Sequence, residues 1–228
     1  MKVFSIVVAI SALAAAPSFA QETGIQDPSG YVSGFGGAVF AAGNSSSSVL
    51  FEGGVRIAPH LMAFGNVGRF TNLQGDLQPT LDATTASLSN EGVGVTSGGS
   101  LPAWYGVGGL RAEIPAGTHF FPYVLGGLGA ARLNPSPQFM FASGTLPDGS
   151  TPTVGTDVTQ SLITAGSFTD PPPSSAFMMM LGGGVQIPVL QHWAADIGYR
   201  YSRIAADTTL SATPLNTNVM TFGFGYRF

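Results

Sequence analysis

The last eight residues, Thr221-Phe222-Gly223-Phe224-Gly225-Tyr226-Arg227-Phe228, alternate without exception. Phe222, Phe224, Tyr226 and Phe228 fall on one side; Thr221, Gly223, Gly225 and Arg227 fall on the other. Side chains of a strand alternate between two faces, so this segment reads as a strand with one wholly aromatic face and one small or charged face. An aromatic face of that width must be covered, by a protein core or by lipid.

Composition favours lipid. Charged residues are 9% of the 228, glycines number 32, and aromatics are 11%. A water-facing surface needs more charge than this, whereas a barrel wall in lipid needs an apolar exterior and a backbone whose hydrogen bonds close on themselves. The N-terminus is a separate matter. Lys2 supplies a positive start, Val3 to Ala16 is an uncharged apolar run, and Ser18-Phe19-Ala20 places small residues at a cleavage site. The run falls short of the ~20 residues a spanning helix requires. Residues 1–20 therefore read as a secretory signal peptide, cleaved on export, with 21–29 as a short periplasmic segment. Beyond it there is no lysine. Seven arginines face twelve acids, leaving about −5, which argues against nucleic acid as a partner. No cysteine is present, so the chain has no disulfide framework and no thiolate chemistry.

Eight strand-like segments follow, near 31–40, 49–57, 61–71, 103–114, 120–133, 176–187, 193–204 and 218–228. Each is long enough to cross a bilayer when tilted. Residues 41–48 read as a Gly/Asn/Ser turn. Connections at 58–60, 115–118 and 188–191 are tight, whereas 74–100 and 134–174 are long, neutral and rich in Ser, Thr, Gly or Pro. Short turns at one end and long loops at the other predict an all-β, eight-stranded antiparallel up-and-down transmembrane β-barrel spanning 30–228. A soluble eight-stranded cup would reverse the faces, turning Asp196, Arg200 and Arg227 to water.

Residues 30–228 resemble the small eight-stranded outer-membrane β-barrel surface proteins, the OmpA/OmpX-type and opacity-like porin-family antigens. The final Thr221, Gly223, Tyr226 and Phe228 match the C-terminal signal read by the outer-membrane assembly machinery in such proteins. The resemblance covers the barrel alone and implies a bacterial outer-membrane location. It further implies a non-enzymatic role in structure or surface interaction, with extracellular loops meeting lipopolysaccharide, a host or the environment. A narrow porin-like channel is the alternative; an outer-leaflet lipid-modifying enzyme is disfavoured.

Three groups of side chains bear on that role. Glu52, Arg56, Arg111, Glu113, Asp196, Arg200 and Arg227 fall on inward faces, and buried charges persist only when paired; they are the expected lumen network, with Asp196 and Arg227 as the first expected pair. Arg69, Arg132 and Arg203 stand where strands enter long connections and are candidate contacts for lipopolysaccharide phosphate. His60, His119 and His192 all fall in the tight turns, at the end away from the long loops. They therefore suit neither a shared metal nor a hydrolase acting on outer-leaflet lipid. No catalytic residue, cofactor or metal is expected.

Overall fold

The computed structural model describes residues 28–41, 44–73, 77–114, 120–205 and 213–228. The expected signal segment, most of the segment after it, and His119 lie outside the described residues. Eight strands form the barrel: β1 (Gly30–Ala41), β2 (Asn44–Ala58), β3 (Leu61–Phe70), β5 (Ala103–Glu113), β6 (Phe121–Leu133), β8 (Ser174–Pro188), β9 (Trp193–Ile204) and β10 (Leu215–Arg227). Two more strands, β4 (Gly94–Ser100) and β7 (Ser136–Ser143), and two helices, α1 (Leu77–Asn90) and α2 (Thr159–Thr164), lie in the long connections. Every barrel strand pairs antiparallel with its chain neighbours in the barrel, and β10 closes on β1, with Tyr31 opposite Arg227 and Ala41 opposite Thr217.

The wall follows the period of two. Phe51, Trp104, Leu128, Phe177, Leu181 and Phe222 all lie more than half exposed on the outside. Tyr31, Phe35, Tyr105 and Tyr123 are buried inside. These inner aromatics fit because they lie against glycines of neighbouring strands. A Cβ on Gly68 would come within 2.5 Å of the Tyr105 ring, and one on Gly223 would overlap Phe35. Glycine is thus the space in which a narrow lumen stores its large side chains.

The lumen has two zones. Toward the tight turns it is polar and charged. Toward the long connections it is apolar: Val39, Phe70, Leu73, Leu101, Leu133 and Ile204 are each at most 1% exposed, and Phe70 stacks on Tyr105 at 4.6 Å.

The connections expected to be loops are largely folded. Residues 44–48, read as a turn, extend β2 because their ladder to β1 continues to Ala41 opposite Asn44. Ser46 and Thr71 then tie the hairpin to the segment after β3, through Ser46 Oγ–H to the Asn72 carbonyl at 2.6 Å and Thr71 Oγ1–H to the Ser47 carbonyl at 2.9 Å. In the long connections β4 pairs with β7, Ser97 opposite Phe139. Leu77, Leu81 and Leu88 of α1, Phe139 and Phe141 of β7, and Leu162 of α2 belong to a second buried cluster, apart from that of the barrel. The helix α1 stops at Gly92, whose φ of +83° a side chain would resist. The Gly92 and Val93 N–H groups cap the carbonyls of Ser89 and Leu88 at 3.1 and 2.9 Å, a Schellman end closed by apolar contact.

Candidate functional site

Six strands build the lumen network. Glu52 of β2 is its centre: it accepts from Tyr31 Oη at 2.8 Å and from Arg200 Nη1 at 2.6 Å, with Asn66 Nδ2 at 3.4 Å. Arg111 of β5 lies between all three acids, 3.7 Å from Glu52, 3.6 Å from Glu113 and 3.8 Å from Asp196. Arg56 extends the chain to Glu113 at 3.5 Å and donates to the Pro28 carbonyl at 3.0 Å. Tyr123 Oη donates to Asp196 at 2.7 Å.

Aromatic faces complete the cage. The Arg111 guanidinium lies 3.7 Å from the Tyr123 ring centre and 4.7 Å from that of Tyr31; Arg200 lies 4.9 Å from that of Phe35. Three arginines meet three carboxylates, so the buried charge balances. Burial at this depth is tolerable only with such balance.

The structure brings Asp196 to Arg111 and Tyr123, in place of the expected partner Arg227. Register explains it: Asp196 lies opposite Gly223, and Arg227 is four residues further along β10, roughly 13 Å on. Arg227 stands at the turn-end mouth, its guanidinium 4.8 Å from the Phe121 ring centre. Tyr31 and Tyr123 were missed as network members by sequence reasoning: they lie on β1 and β6, whose inward faces carry no charge to mark them.

The outward arginines separate into two settings. Arg69 and Arg132 both lie opposite Trp104, one on each side of it. Arg203 lies in another row, opposite Met179 and Asn216. All three are exposed on the wall.

The C-terminal residues form the closing seam. Thr221 is buried, while Tyr226 and Phe228 face outward. The Phe228 N–H donates to the Gly30 carbonyl at 3.0 Å, and its own carbonyl accepts from Gly30 N–H at 2.9 Å and Ser29 Oγ at 2.8 Å. His192 stacks on Tyr226 at 5.5 Å, and His60 occupies a turn position with φ of +60°; both are turn-end residues. Among the described residues no group of His, Asp and Glu is placed to hold a metal.

The chain belongs to the outer-membrane protein β-barrel domain family, whose model matches residues 5–228. No curated protein matches the sequence. Among solved structures, Neisserial surface protein A aligns with 88% of this chain and 97% of its own at 14% identity and a TM-score of 0.53. Ail, the attachment invasion locus protein of Yersinia pestis, aligns with 89% of this chain and 100% of its own at 14% identity and a TM-score of 0.47. The outer-membrane enzyme PagL aligns with 87% and 99% at 11% identity and a TM-score of 0.42. These likenesses are of fold.

Proposed function

We propose that this outer-membrane barrel is a closed, non-enzymatic surface protein, exported by a cleaved signal peptide over residues 1–20, whose folded cap meets the environment. In such barrels the short turns are periplasmic and the long connections extracellular. That orientation puts the α1–β4–β7–α2 unit outside the cell and His60 and His192 at the periplasmic end, away from outer-leaflet lipid. Its biogenesis partner is the outer-membrane assembly machinery, reading Thr221, Gly223, Tyr226 and Phe228. Its standing partners are membrane lipid and lipopolysaccharide, the latter through Arg69 and Arg132, which share a row on the outer wall that Arg203 does not join.

The observation that carries this reading is the apolar layer at the cap end of the lumen, where Phe70, Leu73, Leu101 and Leu133 are almost fully buried. An ion crossing that layer would lose its hydration without replacement. Below it, the balanced network of Glu52, Arg56, Arg111, Glu113, Asp196 and Arg200 fills the rest. Planar-bilayer recordings of the refolded protein test the reading: the expected trace stays at baseline, and a steady open state would replace the closed barrel with a narrow channel.

A further inference from the structure

Of the three outward arginines, register assembles two. Arg69 on β3 and Arg132 on β6 flank Trp104 on β5 in one hydrogen-bonded row. Trp104 is 55% exposed on the outer wall. The Arg69 guanidinium carbon lies 5.5 Å from the indole centre, so its side chain leans across the indole toward the Arg132 strand. The two arginine backbones are two inter-strand steps apart, roughly 10 Å. The same row runs on to Val49 in β2 and Ser175 in β8, neither of which can supply a counter-charge.

The contrast with the lumen is instructive. Inside, each arginine of the balanced set stands against a carboxylate. Outside, among the described residues, neither Arg69 nor Arg132 has one. Cations at a lipid-facing wall are costly unless something anionic meets them. At the level where strands leave the membrane that something is a headgroup phosphate, which a guanidinium takes in a two-point fork. An indole between the forks suits the boundary of polar and acyl regions.

We infer that Arg69, Trp104 and Arg132 form a clamp for the phosphate of an outer-leaflet lipid, and that Arg203 stands outside it. This rests on the orientation given above, with the cap outside. The test uses refolded full-length barrel in nanodiscs holding bisphosphorylated lipid A, the same lipid after phosphatase treatment, or neither lipid with millimolar inorganic phosphate in solution. Native mass spectrometry counts lipid retained on release. Emission from Trp104 is read in a W193F background, since Trp193 is the other tryptophan and lies at the opposite end.

Wild type and R203Q retain the phosphorylated lipid and release the treated one, and their Trp104 emission shifts with the phosphorylated lipid alone. R69Q/R132Q lowers retention roughly tenfold or more, as loss of two charge-assisted contacts requires. Heat-modifiable gel mobility shows that each variant is folded. Equal retention of treated lipid, or undiminished retention by R69Q/R132Q, overturns the clamp. A Trp104 emission shift with inorganic phosphate alone overturns its assignment to lipid in favour of the free ion. Either failure leaves the bilayer recordings, and so the closed-barrel reading, untouched.

Discussion

Neutralising Glu52 is the sharpest test of the lumen network. The Glu52 side chain has no exposed surface. It accepts two short hydrogen bonds, from Arg200 at 2.6 Å and Tyr31 at 2.8 Å, and stands 3.7 Å from Arg111. Glu52→Gln keeps the shape and an acceptor for Tyr31. It also leaves three lumen arginines, two of them fully buried, facing two carboxylates, and Arg200 facing a neutral amide. Breaking a buried pair by removing one partner costs about 3–5 kcal/mol. Because the amide still accepts one hydrogen bond, the loss belongs at the lower end, about 3 kcal/mol. The double variant E52Q/R200M restores the charge balance with a side chain of similar reach, so its loss should fall short of the two single losses summed by about 2 kcal/mol. The assay is a urea titration in lipid vesicles, followed by tryptophan emission under conditions where folding and unfolding curves coincide. An E52Q loss within about 1 kcal/mol of zero, or additive single and double variants, would refute the claim that these charges hold one another.

Two further outcomes separate the cap from the barrel. Leu81 of α1 is fully buried in the outer cluster, and Leu81→Ala should cost that cluster about 2–5 kcal/mol; protease should cut the α1–β4 region faster while heat-modifiable mobility of the barrel stays as it was, and loss of that mobility would mean that the two units fold as one. Asp157 accepts from the Thr159 hydroxyl at 2.6 Å and the Thr159 N–H at 3.0 Å, and from Gln138 at 3.3 Å; the Thr159 bonds hold its carboxyl below the usual range. A depressed acid stabilises the fold above its unfolded pKa and loses that contribution as pH falls through the lower folded value, so the start of α2 should keep its protection at pH 5 and lose it only below about 4; hydrogen exchange at the Thr159 amide reads this, and loosening between pH 7 and 5 would contradict the assignment.

The barrel was legible because its wall repeats every two residues and lipid demands that the repeat be apolar on one side. Phe222, Phe224 and Phe228, or Ile197 and Tyr199, announce their face by type alone. The inner face is less legible, since it too carries aromatics. Tyr105 shares its face with Arg111 and Glu113, but Tyr31 is inside because Gly54 of the neighbouring strand makes room for it, and no charge on β1 says so. The cap was hidden for a different reason. Its helix, Leu77–Asn90, has four threonines and serines in its last seven residues, which are weak helix formers. It stands because Leu77, Leu81 and Leu88 find Phe139 and Phe141, some fifty residues on, and short helices draw most of their stability from such packing.

The network and the outer arginines show where sequence reasoning stops. Face can be read along one strand, whereas partnership depends on register between strands, and register is a property of the closed barrel. Asp196 and Arg227 share an inward face and adjacent strands, yet alignment of β9 with β10 sets them four residues apart and leaves Arg111, on the far side of the lumen, to meet the carboxylate. The same rule works in the other direction on the outer wall. Arg69, Trp104 and Arg132 are separated by 35 and 28 residues and share no motif, yet β5 lies between β3 and β6 and lines them up side by side. Arg203 follows its strand just as closely as they do and ends in a different row. A one-residue slip of β5 against β3 would turn Trp104 into the lumen and Arg111 into lipid. The burial of Arg111 therefore enforces the register that assembles the outer row, and a change that weakens the inner charge network should also loosen the geometry of the lipid-facing clamp.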